Sequence, residues 1–350
     1  MAAYFAVGRY THPPYTASPQ ADGIHVIKLD LASGVLSSVT VNKDVQNVSW
    51  FASAPGDDHL YAVSSGPISV LSRFKINVTS EAPTLELEAK TEFADDGGVY
   101  VGLDGKVVTV ACFNSGVVRL FDAEGDLESK QRWKFTYCTD PASDKQNVPH
   151  SHCAVTWPGR KGVYAVADLG ADRVYTVTSG SPNPEIALQV ESGVGPRLIL
   201  FHPTKKLAFL VTELSNELLL LDVDETSLKI RQCLPIIGYP DSVNNDPEAS
   251  VQKAAHLAIS DDGSRIWVSN RGRINDIVEF KLKSDESIEF VRVIPTKGKI
   301  PRAFAIVDEK YLIAANQKSN SIVSYRIDGE KPEEISELAV EAVIALWRLV

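Results

Sequence analysis

The sequence predicts an all-β protein, a seven-bladed β-propeller of four-stranded antiparallel blades, forming a single domain over residues 1–350 with the ring closed by the N-terminal strand. Three observations predict it. Seven short segments rich in β-branched and aromatic residues recur along the chain, and such segments favour the pleated sheet. Each is soon followed by a second strand-like segment. Their last residues, Tyr10, Gly66, Phe113, Leu169, Leu214, Gly272 and Lys318, fall 45 to 58 residues apart, close to the repeat of about 40–50 residues that a four-stranded blade needs.

Taken in order, YFAVGRY opens the series and is the strand that closes the ring on the last blade. LYAVSSG, VVTVACF, VYAVADL, AFLVTEL, IWVSNRG and LIAANQK follow, each ending in small or polar residues. Their partners are GIHVIKLDL, ISVLSRFKI, GVVRLFDAE, DRVYTVTSG, NELLLLDVD, NDIVEFKLK and NSIVSYRID. Most pairs are preceded by one more strand that runs into turn residues: NVSWFASAPGDD, SHCAVTWPGRKG, GPRLILFHPTKK, AAHLAISDDGSR and IPRAFAIVDEK. Pro, Gly and Asp after an apolar run are turn chemistry, so each unit reads as inner strand, tight turn, second strand, loop and third strand. The fourth strand is weakly marked. Helical periodicity appears only near PEEISELAVEAVIALWRL, whose AVIALWRL end reads equally well as a strand.

Composition bounds the function. A formal net charge of −10 and 44% hydrophobic residues describe a folded acidic chain, which disfavours nucleic-acid or anionic-membrane partners. No run of about 18 apolar residues and no basic leader with an apolar core is present, so a cytoplasmic protein, most simply a monomer, is expected. Cys112, Cys138, Cys153 and Cys233 form no C-x-x-C pair, against a zinc knuckle or redox motif. The sequons Asn47-Val48-Ser49 and Asn77-Val78-Thr79 carry weight only in a secreted chain. Neither a G-x-S-x-G elbow nor a glycine-rich phosphate loop before a helix occurs, which disfavours covalent catalysis and nucleotide chemistry.

In antiparallel blades the start of the inner strand and the end of the second strand lie at the same end of the sheet. Inner-strand starts contribute His150, His152, Arg197, His256 and Arg302; second-strand ends contribute Asp168, Glu213, Arg271, Asn316 and Gln317. Local positive charge of this kind suits a small anionic ligand. His150 and His152 stand two apart in NVPHSHCAV, and with Asp168 or Glu213 they could also form a zinc site. The H-x-H-x-D-H pattern of metallo-hydrolases fails because Ala154 and Val155 follow, so no metal is expected. Structural readings compete: His150 as a hydrogen-bonding buttress, Arg197 and Arg271 as blade-to-blade ion pairs, Glu213 as a turn cap, and Asp168 and Asp172 as loop holders. His202 and His256 are expected to be structural.

The stretches PHSHCAVTWPGRKGVYAVADLGADRV, GPRLILFHPTKKLAFLVTELSNEL, AAHLAISDDGSRIWVSNRGR and PRAFAIVDEKYLIAANQKSNSI, in that order, resemble the lactonase family of seven-bladed propellers. That family includes propeller-type 6-phosphogluconolactonases and the fungal 3-carboxy-cis,cis-muconate cyclases. GRYTHPP and NVSWFASAPGDDHLYAV extend the likeness over essentially the whole chain. The resemblance implies cofactor-independent lactone chemistry, with the family's histidine at His152, its arginines at Arg197 and Arg271, and its glutamate at Glu213. His150, Arg302, Gln317, Asp168 and Asn316 are expected to line or support the substrate site. GRYT stands where the family more often has GTYT, and Thr212 where it has Asn. The IIGYPDSVNNDPEAS insert and Trp347 look more like the cyclase branch, and PHSH like the phosphogluconolactonase branch. Three functions follow as expectations: hydrolysis of a sugar-phosphate lactone, an intramolecular lactonising isomerase, and a non-catalytic binding scaffold.

Overall fold

The computed structural model of the chain describes residues 1–16, 23–78, 82–243 and 245–349. Thr79 of the second sequon and Asn244 of the insert lie outside the described residues. Among those described there is no α-helix; 28 strands form seven four-stranded antiparallel sheets. The chain divides into two compact units, Met1–Val101 with Glu124–Glu128 and Thr296–Val350, and Gly102–Ala123 with Ser129–Pro295.

In the first unit, β1 (Ala2–Arg9), β2 (Ile24–Asp30) and β3 (Leu36–Asn42) share a sheet with β28 (Val343–Arg348), in the order β28-β1-β2-β3. The two ends of the chain therefore meet in one sheet, the N-terminus supplying three strands and the C-terminus one. A second sheet holds β4 (Val48–Ala52), β5 (His59–Ser64), β6 (Ser69–Val78) and β7 (Pro83–Phe93). A third holds β24 (Pro301–Val307), β25 (Tyr311–Asn316), β26 (Ser321–Arg326) and β27 (Glu333–Ala339). PEEISELAVEAVIALWRL resolves into β27 and β28, because its C-terminal half completes the sheet begun by β1. Phe5, Val7, Tyr311, Ile313 and Ile322 join one apolar cluster of this unit and Phe51, Leu60 and Phe74 another.

Four sheets follow: β8 (Gly98–Asp104) to β11 (Ser129–Lys134) through β9 (Val107–Cys112) and β10 (Val117–Asp122); β12 (Ser151–Thr156) to β15 (Glu185–Gln189) through β13 (Val163–Asp168) and β14 (Arg173–Thr178); β16 (Pro196–Phe201) to β19 (Leu228–Pro235) through β17 (Leu207–Thr212) and β18 (Glu217–Val223); and β20 (Gln252–Ile259) to β23 (Ile288–Pro295) through β21 (Arg265–Gly272) and β22 (Asp276–Leu282). In the second unit β12, β16 and β20, each the first strand of its sheet, are neighbours.

Burial explains which strands the sequence marks strongly. Every residue of VYAVAD (β13), LAFLVT (β17) and YLIAAN (β25) is buried, so both faces are apolar. SKQRWK (β11) and EEISELA (β27) are mainly exposed or half-buried, so they carry little apolar signal. The turn after the second strand also repeats. Gly116, Asp172, Asn216 and Asn320 each sit at φ between 50° and 59° at its last position, a left-handed conformation that Gly, Asn and Asp tolerate best.

Candidate functional site

A shared irregularity positions the inner-strand residues. β12 pairs Ser151 with Asp168 and next Cys153 with Ala167, so His152 has no residue opposite it. The ladder of β16 jumps from Pro196 to Leu198 past Arg197, and that of β24 from Pro301 to Ala303 past Arg302. β20 jumps from Ala254 to Leu257. Such bulges bend the strand and re-aim the extra side chain. The same device thus presents His152, Arg197 and Arg302 at the starts of three different strands.

Glu213 is the centre of the group in the second unit. It follows β17 as the first residue of the ELSN turn, where its N–H donates to the Gly195 carbonyl, 2.8 Å. Thr212 Oγ1 accepts the Glu217 N–H at 3.1 Å and lies 2.7 Å from Ser215 Oγ, so threonine closes this turn with its hydroxyl. Asn216 Nδ2 donates to the Gln252 carbonyl, 3.2 Å, and the Ala254 N–H donates to the Glu213 carbonyl, 3.3 Å. The turn is thereby tied to the start of β20.

Three cations meet the Glu213 carboxylate. Arg197 Nε donates to Oε2 at 2.9 Å, Arg271 Nη2 lies 2.7 Å from Oε2, and Lys253 Nζ donates to Oε1 at 2.7 Å. Arg197 Nη1 also donates to the Ala255 carbonyl, and Arg271 Nε to the Ala254 carbonyl at 3.2 Å. The side chains of Glu213 and Arg197 are 6% and 3% exposed; those of Arg271 and Lys253 are 14% and 21%. Burial alone pushes the Glu213 carboxyl up, but Arg271, Arg197, Lys253 and His152 outweigh it and hold the group well below the usual carboxylate range. A carboxylate so held is a poor base and a good anchor for cations.

His150 and His152 divide their roles. The His150 ring stacks on Phe113, centroids 4.1 Å apart, with Nδ1 3.0 Å from the Phe113 carbonyl. Burial lowers its proton affinity, so it is a neutral buttress. His152 is buried, presents its ring edge-on to Phe113 at 5.5 Å, and lies within electrostatic reach of Glu213. Asp168, fully buried at the end of β13, accepts the N–H groups of His150 (2.8 Å) and Ala171 (3.0 Å) and the Ser151 hydroxyl (3.1 Å). Burial raises its carboxyl to about 6 against those hydrogen bonds. Its oxygens hold the backbone that carries the histidines. Asp172 binds the N–H groups of Gly195 (2.7 Å) and Gly193 (3.0 Å) in the same manner.

His150, His152, Asp168, Arg197, Glu213 and Arg271 thus come together in the second unit. Arg302, Asn316 and Gln317 belong to the first. There Arg302 lies over the Tyr10 ring at 5.3 Å, Asn316 Nδ2 donates to the Thr296 carbonyl at 2.8 Å, and the Gln317 N–H donates to the Ile300 carbonyl at 2.9 Å. His202 Nδ1 accepts the N–H groups of Thr204 and Lys205, a turn role, while the His256 N–H is held by Ser269 Oγ. Among the described residues, the side chains close enough to share a metal ion are Asp57, Asp58 and His59, an exposed set already paired with Lys75 and Glu88. Lys253 is the site residue that sequence reasoning missed. The sequence marks the start of this inner strand at AAH, whereas β20 begins at Gln252 and pairs Lys253 with Arg271.

The chain matches the family described as "Lactonase, 7-bladed beta-propeller" over residues 4–339. It is 27% identical over 317 residues to a 6-phosphogluconolactonase of Bacillus subtilis (strain 168), covering 89% of this chain and 88% of that protein. It is 26% identical over 346 residues to a 6-phosphogluconolactonase of Formosa agariphila, covering 94% and 95%. Among solved structures, a periplasmic gluconolactonase of Pseudomonas aeruginosa superposes with a TM-score of 0.86 at 21% identity, covering 100% of this chain and 99% of that one. A Lactobacillus plantarum protein superposes with a TM-score of 0.84 at 24% identity over the full length of both. These two likenesses show the fold, and the seven four-stranded sheets are its blades. The chain belongs to the lactonase family of seven-bladed β-propellers.

Proposed function

We propose that the chain is a lactonase that hydrolyses 6-phosphoglucono-δ-lactone or a closely similar small sugar-phosphate lactone. The observation that carries this reading is the Glu213 carboxylate held by Arg197, Arg271 and Lys253 beside His152. A lactone is an activated ester, so ring opening calls for a positioned water, a base, and positive charge near the developing oxyanion. Glu213 is engaged on both oxygens, which leaves His152 as the base. In this mechanism neutral His152 takes a proton from water as the water oxygen bonds to the lactone carbonyl carbon. Arg271, the more exposed of the two arginines, stabilises the oxyanion. The ring carbon–oxygen bond then breaks, and the imidazolium returns the proton to the ring oxygen. Glu213 orients the cations without taking part in proton transfer.

The names of the relatives support sugar-phosphate lactone hydrolysis and give no particular support to a lactone-forming isomerase or a binding scaffold. The test is turnover of freshly generated 6-phosphoglucono-δ-lactone by the chelator-treated protein, with His152→Gln in parallel. Wild-type hydrolysis well above the spontaneous rate is expected, with kcat about 10²–10⁴ lower in the variant at an unchanged melting temperature. Wild-type turnover at the spontaneous rate would overturn the reading.

A further inference from the structure

We propose that Lys253 is a specificity-determining residue that grips the phosphoryl group of the substrate; this rests on the lactonase reading above. The argument begins with an arrangement that sheet stability does not favour. Lys253 and Arg271 are direct partners in the β20–β21 ladder, and like charges facing each other across antiparallel strands are destabilising. Glu213, from a turn of the neighbouring sheet, answers both, with Oε1 to Lys253 and Oε2 to Arg271. Arg197 already binds Oε2 from its own sheet. Three cations thus share this one carboxylate. The Asp168 oxygens accept the N–H groups of His150 and Ala171 and the Ser151 hydroxyl. His150 is neutral. A phosphate monoester carries about −1.5 to −2 at neutral pH and so suits a cluster of cations better than a single carboxylate does.

Among the three cations the division of labour follows from exposure. Arg197, 3% exposed, is fixed by Glu213 and the Ala255 carbonyl. Arg271, 14% exposed, is fixed by Glu213 and the Ala254 carbonyl. Lys253 is the most exposed at 21%, and its ammonium spends one of three donors on Glu213. At the equivalent place in the sheet of β16 stands Gly195, whose carbonyl receives the Glu213 N–H, so that sheet supplies no cation at this position. An ammonium on a flexible stem is a point charge able to follow a phosphoryl group while a second donor stays on its anchor.

The test compares wild type, Lys253→Met and Lys253→Arg on 6-phosphoglucono-δ-lactone and on unphosphorylated glucono-δ-lactone, with calorimetric binding of inorganic phosphate. Lys253→Met is expected to raise KM for the phosphorylated lactone about 10- to 100-fold, change kcat less than about threefold, and weaken phosphate binding by a similar factor. It is expected to lower kcat/KM for the unphosphorylated lactone by no more than about threefold, the part that reflects the lost contact with Glu213, and Lys253→Arg is expected to restore most of the loss. An equal fall for both lactones, or an unchanged KM for the phosphorylated one, would overturn the assignment. If the wild-type protein opens neither lactone, the lactonase reading fails by itself. Phosphate binding then judges the lysine alone, and binding undiminished in Lys253→Met overturns it.

Discussion

Replacing Glu213 by glutamine tests whether this carboxylate is an anchor or a base. The substitution keeps the shape of the side chain and removes the charge that answers Arg197, Arg271 and Lys253 at 2.9, 2.7 and 2.7 Å. Breaking one partner out of a buried ion pair costs about 3–5 kcal/mol, because the remaining charge stays buried. Arg197, at 3% exposure, feels this fully; Arg271 and Lys253, at 14% and 21%, recover part of it from water. A loss of about 3–4 kcal/mol is therefore expected. For a chain of this length the unfolding entropy is about 0.7 kcal/mol per kelvin, so the melting temperature falls by about 4–6 °C in scanning calorimetry. Because both oxygens are engaged and the group is held well below the usual carboxylate range, activity falls together with stability, while the pH–rate profile keeps its shape. A melting temperature within about 1 °C of wild type, with activity abolished, refutes the anchoring argument and makes Glu213 the base.

Two further perturbations probe the supporting structure. Burial, reinforced by the charge of Arg197, drives His256 down to about 3. The unfolded chain, titrating near 6.5, therefore binds more protons between these values, so this group's stabilising contribution is full above about 6.5 and is lost as pH falls towards about 3. Substituting His256→Asn is expected to flatten the stability–pH slope across that window by up to about 5 kcal/mol; urea titrations at a series of pH values that give parallel slopes would contradict it. Gly170→Ala would place a Cβ 1.9 Å from the Val148 carbonyl oxygen and 3.1 Å from the His150 nitrogen. The segment carrying His150 has to move, and about 1–3 kcal/mol of stability with at least tenfold in kcat should be lost; a variant with wild-type kinetics shows that the close approach is not needed.

The fold was legible because two signals repeat in register: an apolar second strand buried on both faces, as in VYAVAD and LAFLVT, and a turn closed by Gly, Asp or Asn. The outer strands were faint for the opposite reason, since SKQRWK and EEISELA meet water along much of their surface. For the site, His150, His152, Asp168, Arg197, Glu213 and Arg271 could be placed together by strand ends alone. Two finer distinctions could not. The first is which residue at the end of a second strand faces the cations: Asp168 and Asn316, the last residues of β13 and β25, close loops with their side chains, whereas Glu213, one place beyond β17, meets the cations. Lys253 escaped notice because β20 starts two or more residues before its bulge and pairs the lysine with Arg271, a register that depends on strand pairing and not on any local motif. The resemblance to known lactonases pointed to the two arginines and the glutamate, but not to the third cation.

The bulges at His152, Arg197 and Arg302 have an evolutionary consequence. A residue that lies outside the pairing of its ladder makes no demand on strand register, so its identity is weakly coupled to how the strands pair. Each of these three sheets then carries one position where the side chain can change without disturbing the strand pairing on either side, although at Arg197 the change must be answered at Glu213. Substrate preference in such a scaffold can drift one blade at a time. The fully paired Lys253–Arg271 position is different: a change there alters the charge balance around Glu213, so a new preference for a neutral substrate would have to arise together with a compensating change in that carboxylate.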